Sequence, residues 1–172
     1  MYANTEIDQI VLNTLMTADI SSLPLDIDLW YKKQGWQYYT YAEAKKLGVS
    51  MDLSRHSLSV KTENGLIVYY NDTVRPTKRI RWLLTKEGAR FILGENSTQT
   101  DIIYFTERFL MPIAPLAFLG AKSADDIIKI CNVTREAAHN CLNTIKHHRA
   151  RIERSGYSAL DMGYLHQFKL IE

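Results

Sequence analysis

The sequence has few cysteines and no long hydrophobic run. Its only two cysteines, Cys131 and Cys141, make neither a disulfide framework nor a CxxC metal knuckle, so we expect two reduced, partly buried thiols. The longest apolar run, residues 110–121, contains two prolines and is too short to span a bilayer. The N-terminus lacks the basic region of a signal peptide. We therefore expect a cytoplasmic protein that has no membrane partner.

The net charge is also small. A value of +2 does not by itself indicate a nucleic-acid partner. The chain has 172 residues, of which 46% are hydrophobic and 23% charged, and these values are typical of a globular protein with a substantial core. The position of the basic residues is therefore more informative than their number.

The spacing of apolar residues and turn residues predicts a mixture of helices and strands. Thr40 and Glu43 form a capping-box pattern for one short helix, and Asn132 and Thr134 mark a turn between two later helices. Helices are predicted over residues 5–18, 24–35, 40–48, 77–93 and 100–111 and within 123–154. Strands are predicted over residues 36–41, 56–62 and 66–71, of which the last two form a hairpin.

The order of these elements, together with three segments, resembles the ImmA/IrrE family of zincin-type metallopeptidases. The segments are RIRWLLTKEGARFILGE at 79–95, DIIYFTERFLMP at 101–112 and DIIKICNVTREAAHNCL at 126–142. Arg81 and Trp82 match family positions on the first of these, and Phe105, Leu110, Met111 and Pro112 match the second. The resemblance covers most of residues 20–145.

The resemblance implies a zinc site on the long helix, and the sequence departs from the family at that site. Glu87 stands at the position of the catalytic glutamate, while Lys86 and Arg90 stand where the family has its two histidine ligands. Asp101 falls at the position of the third ligand. Lysine and arginine offer hydrogen-bond donors and no lone pair at ordinary pH, so we expect no zinc and no other cofactor. We expect instead an ionic cluster in which Lys86 and Arg90 face Glu87 and Asp101.

The predicted fold class is α+β. The resemblance implies a zincin-like metallopeptidase fold of packed helices with a small antiparallel β-sheet built on the hairpin 56–71. A helix-turn-helix-like part follows. The predicted domains are 1–115, which is metallopeptidase-like, and 116–172, a helix-turn-helix-like extension with a C-terminal tail packed on the same core.

A basic segment follows the predicted turn. Its cations, with one at the start of the preceding helix, are candidates for binding DNA or an acidic partner: Arg135, Lys146, Arg149, Arg151 and Arg154. The presumed recognition helix offers few side chains that read base edges. A solvated helix end, whose cations complement the helix dipole, is the simpler interpretation.

These observations favour a catalytically inactive ImmA/IrrE-like protein that acts by binding another protein. Active relatives antagonise phage-type and mobile-element repressors, so the resemblance implies a regulatory role in which a repressor or host factor is sequestered. One alternative is a DNA-binding regulator that uses residues 123–154. The other is an active metallopeptidase with a non-standard metal site.

Overall fold

A computed structural model describes residues 2–49, 56–73 and 77–172 of the chain. Residues 50–55 and 74–76, which fall within the predicted domain 1–115, lie outside the described residues, as does Met1. The described residues form an α+β protein, as predicted. No helix among them is both long and apolar enough to cross a bilayer.

The described elements follow the predicted order. In chain order they are α1 (Asn4–Thr17), α2 (Ile27–Gln34), β1 (Gln37–Thr40), α3 (Tyr41–Lys46), β2 (Ser57–Thr62), β3 (Gly65–Tyr70), α4 (Thr77–Leu93), α5 (Gln99–Leu110), α6 (Ile113–Phe118), α7 (Ala124–Cys131), α8 (Arg135–Ser155) and α9 (Ala159–Gln167). The predicted capping box is present, because Thr40 and Glu43 bond each other's backbone N–H groups at the start of α3. Asn132 adopts the left-handed conformation that ends α7, and Thr134 caps α8.

The sheet differs from the predicted antiparallel one. Its strand order is β1-β3-β2, and β3 pairs antiparallel with β2 but parallel with β1. The prediction was wrong on this point because the hairpin was the only pairing that the sequence signalled. The strand β3 is apolar on both faces because it lies in the centre of the sheet, where Val68 and Tyr69, which point to opposite faces, are both buried.

The C-terminal segment, predicted as a tail packed on the core, contains a helix. Ser158 and Asp161 form a capping box that starts α9, and the Tyr164 hydroxyl donates to the carbonyl of Asp8 on α1 at 2.9 Å. A Cβ at Gly163 would lie 2.7 Å from Cδ2 of Leu12, so the glycine allows α9 to approach α1 closely.

One buried hydrophobic cluster contains residues of both predicted domains. It extends from Ile7 on α1 through Phe105 and Phe109 on α5 to Ile145 on α8 and Phe168 after α9. The helix α4 packs on α5 and on the sheet. The face of α4 that carries Glu87 therefore lies between the sheet and the helical part.

Candidate functional site

The carboxylate of Glu87 is buried beneath the sheet, and both of its oxygens accept hydrogen bonds from neighbouring side chains. Only 4% of the residue is exposed. Ser57 Oγ donates to Oε1 at 2.9 Å, and Ser59 Oγ donates to Oε2 at 2.9 Å. The guanidinium of Arg90 forms an ion pair with Oε2. We call these four residues the Glu87 cluster.

The two serines of the Glu87 cluster come from one face of a strand. Ser57 and Ser59 are two residues apart on β2, and side chains at that spacing point to the same side of a sheet. Sequence reasoning missed them because serine in a hairpin strand is common. The spacing of Ser57 and Ser59 was the one available signal. It could be interpreted only once α4 was known to pass below β2.

Glycine at position 88 allows α4 to lie close to the aromatic core. A Cβ there would lie 2.5 Å from Cη2 of Trp30, a residue with no exposed surface. Tyr31 lies beside it and donates its hydroxyl to the carbonyl of Leu84 at 2.8 Å. Burial, followed by the charge of Glu87, raises the pKa of the Tyr31 phenol, which keeps it protonated as a donor.

Asp101 does not belong to the Glu87 cluster, contrary to the prediction. It occupies the third position of α5, where its carboxylate accepts hydrogen bonds from the backbone N–H and the hydroxyl of Thr98, both at 2.8 Å. The backbone and side-chain hydrogen bonds from Thr98 hold the pKa of Asp101 below its usual value. No ion pair joins Asp101 to Lys86 or Arg90 within the described ranges. The capping signal Thr98–Asp101 was present in the sequence and explains the position better than a ligand role.

The residues at the predicted metal positions do not fit zinc. Arg90 donates to Glu87, and Lys86 is half-buried on α4; both are cationic side chains that offer donors rather than the lone pair that zinc needs. In the part of the chain that the structure describes, no group of three or more His, Cys, Asp or Glu side chains is arranged to hold a metal ion. The Glu87 cluster is a site in which an arginine and two hydroxyls satisfy the carboxylate.

The Glu87 cluster borders a cleft of about 540 Å³ between α4, α5 and the start of α8. Ser57, which bonds Glu87, also lines this cleft, as does Lys86. One wall is the exposed side of α4, the floor is α5, and the other wall is the first turns of α8. We refer to this space as the α4–α8 cleft. Its volume falls within the range of sites for small ligands, which is about 300–1,000 Å³.

The predicted basic segment is largely engaged within the protein. Arg149 donates to the carbonyl of Ala117 at 3.1 Å, and Arg151 forms an ion pair with Asp161 of α9. Arg154 donates to the carbonyl of Ala150 in its own helix at 3.1 Å.

Two other predicted cations remain at the surface. Arg135 pairs with Asp125 at 2.7 Å, with both side chains well exposed, and Lys146 is exposed on α8. The structure does not bring these two residues together with Arg149 and Arg151 into one open stripe, since the last two are turned toward α6 and α9.

His148 lies in the same region and was not assigned a role from the sequence. Its Nε2 lies 3.3 Å from Oδ1 of Asp161, and its Nδ1 lies 3.4 Å from Nη2 of Arg151. Burial lowers the pKa of His148, and it outweighs the opposing charge of Asp161. Burial would raise the pKa of Asp161, but hydrogen bonds from Arg151 and Ser158 lower it instead. The side chains of His148, Arg151 and Asp161 thus connect α8 to α9.

Comparison of the chain with protein-family models, with curated proteins and with solved structures finds no match.

Proposed function

We propose that this protein is a catalytically inactive ImmA/IrrE-like protein that acts by binding another protein, in the regulation of a phage or mobile element. The observation that carries the proposal is the Glu87 cluster. A glutamate that activates water must have an oxygen available to take a proton. Both oxygens of Glu87 already accept hydrogen bonds, from Ser57, Ser59 and Arg90.

The surroundings of Glu87 support a structural role for its charge. Burying a carboxylate without partners would lower the stability of the folded state by roughly several kcal/mol. A cation and two hydroxyl groups offset that cost. Arg90 supplies beside Glu87 the positive charge that a metal ion would otherwise supply. The helix α4 thus keeps its place under the sheet without the chemistry of a hydrolase.

The α4–α8 cleft supports the binding part of the proposal. It is open, it begins at the Glu87 cluster, and its walls carry both charged and apolar side chains. Such a mixture is typical of sites that bind peptides or small ligands. The basic segment supports the DNA alternative less well, because Arg149 and Arg151 are engaged with Ala117 and Asp161.

The experiment is an affinity capture from the native host, followed by an activity assay on the captured partner. We expect one regulatory protein to be recovered at full length, and to stay intact when incubated with the purified protein and excess zinc. Cleavage that the variant Glu87→Gln abolishes would overturn the proposal. Recovery of nucleic acid alone would favour the DNA-binding alternative.

A further inference from the structure

The wall of the α4–α8 cleft formed by α4 is cationic. Lys78, Arg79 and Lys86 all line it, and Arg79 is exposed while the two lysines are half-buried. Lys78 and Lys86 are eight residues apart, about two turns, and therefore lie on the same face of the helix. Within the described ranges none of the three forms an ion pair. A row of cations along one wall attracts an anionic group.

The interior of the cleft is partly apolar. Trp82 and Leu83 of α4 are half-buried, and Ile103 of α5 is 38% exposed although it lies inside the cleft. Covering apolar surface contributes about 25 cal/mol per Å², which inorganic phosphate or a sugar-phosphate backbone would not use. The occupant therefore carries apolar side chains as well as negative charge.

The floor of the cleft and its other wall carry carboxylates. Glu136 is exposed on the first turn of α8, and Glu107 on α5 is half-buried, where burial raises its pKa. A nucleic acid, with a charge at every phosphate, would be repelled by these carboxylates. A peptide can turn its acidic side chains toward α4 and its backbone N–H groups toward Glu107, Glu136 and the side-chain amide of Asn140.

We infer that the α4–α8 cleft binds an acidic peptide segment of another protein, with carboxylates against Lys78, Arg79 and Lys86 and apolar side chains against Trp82 and Ile103. This inference rests on the proposed function and specifies the partner surface. The volume of about 540 Å³ suits a short segment rather than a folded domain.

The test is a selection from random 12-residue peptides displayed on phage, with the full-length protein as bait. We expect the selected peptides to combine several Asp or Glu residues with aromatic or aliphatic ones. The best peptide is then synthesised with a fluorescein label, and its Kd is measured by fluorescence anisotropy. The double variant Lys78→Glu with Lys86→Glu should weaken binding by about tenfold or more.

A matched control separates a local effect from one of net charge. Lys33→Glu with Lys169→Glu makes the same change in charge at exposed positions on α2 and after α9, outside the cleft. It should leave the Kd within about twofold. Circular dichroism and thermal unfolding show whether each variant is folded. If Lys78→Glu with Lys86→Glu does not fold, the milder pair Lys78→Gln with Lys86→Gln replaces it.

Three results would overturn the inference: peptides without an acidic bias, equal weakening by both double variants, or tighter binding of a labelled DNA duplex that the peptide displaces. Its failure is distinguishable from that of the proposed function. If the charge-reversed protein still captures an intact partner as well as the unchanged protein does, the proposed function is supported and the cleft is not the binding site. If acidic peptides bind at the cleft but the captured partner is cleaved, the cleft is the peptide site and the proposal of a catalytically inactive protein is wrong.

Discussion

Glu87 and Arg90 form an ion pair one turn apart on α4, with the carboxylate buried and the guanidinium 43% exposed. The arginine thus bridges the interior beneath the sheet and the solvent. Ser57 and Ser59 of β2 donate further hydrogen bonds to the carboxylate. This arrangement holds a negative charge in the core and attaches β2 to α4 at the same point.

Arg90→Ala should lower the free energy of unfolding by about 1–2 kcal/mol, because Glu87 would lose its charged partner while staying buried. The loss should be smaller than the roughly 3–5 kcal/mol of a fully buried pair, since Arg90 is partly solvated. Urea unfolding measures it. Arg135→Ala is the control: its pair with Asp125 is exposed on both sides, at 65% and 72%, and should contribute less than about 1 kcal/mol. Equal losses would contradict the role of burial.

Gly88→Ala should destabilise the protein strongly. The added Cβ would lie 2.5 Å from Cη2 of Trp30, which Trp36 and Phe109 hold in place, so overpacking should cost about 2–3 kcal/mol. Gly163→Ala is the matched comparison, because its Cβ would meet the terminal methyl Cδ2 of Leu12 at 2.7 Å. That side chain can rotate away, so we expect a smaller loss. Thermal unfolding compares the two, and a greater loss from Gly163→Ala would contradict this explanation.

The sequence predicted those elements whose signal is local. The capping box of Thr40 and the turn at Asn132 depend on residues a few positions apart, and the hairpin of β2 and β3 has its turn between two β-rich runs. Glu87 was singled out by spacing on one helix. In each case the interacting groups are neighbours along the chain.

The missed features depend on contacts between distant segments. The parallel pairing of β1 with β3 joins Tyr38 to Val68, thirty residues apart, and no turn signals it. Ser57 and Ser59 become partners of Glu87 only because β2 lies over α4. Asp101 was assigned to the cluster from its position in a family motif, whereas its nearest hydrogen-bond donor is Thr98, three residues away. The capping hydrogen bonds at the start of α5 therefore determine where the Asp101 carboxylate lies.

Arg151→Ala should destabilise the protein, while Lys146→Ala should not. Arg151 pairs with Asp161, whose side chain is only 7% exposed, so its loss should cost about 1–2 kcal/mol. Lys146 is exposed, and its replacement should change stability by less than about 0.5 kcal/mol. Urea unfolding measures both. If Arg151→Ala instead left stability unchanged and abolished steeply salt-dependent DNA binding, the DNA-binding alternative would gain support.

His148 should make the stability depend on pH. Because its pKa is lowered in the folded state, the unfolded state binds the additional proton between the two pKa values. The free energy of unfolding is therefore at its full value above about pH 6.5, the ordinary pKa of histidine, and decreases as the pH falls below it. Arg151 and Arg108 act in the same direction and Asp161 opposes them.

The measurement is the urea midpoint at about pH 7.5 and about pH 5.5, on either side of the ordinary histidine pKa. His148→Gln should reduce the loss of stability between these values. His147→Gln, at the adjacent exposed position, should leave the loss unchanged. If the unmodified protein lost less stability on acidification than His148→Gln does, the sign of the shift would be contradicted.

Introducing histidine at positions 86 and 90 should not by itself create a zinc site. In the double variant Lys86→His with Arg90→His, two imidazoles on one face of α4 would supply two ligands, but a catalytic zinc site takes three from the protein. Asp101, at the position of the third ligand, is held instead at the start of α5 by hydrogen bonds from the Thr98 backbone and hydroxyl. We therefore expect weak, substoichiometric zinc after gel filtration, measured by mass spectrometry of the metal content, and no hydrolysis of a captured partner. The unmodified protein and the single variants are the controls. Stoichiometric zinc in the double variant would show that a third ligand reaches the site, and the unmodified protein would be tested next for the same metal.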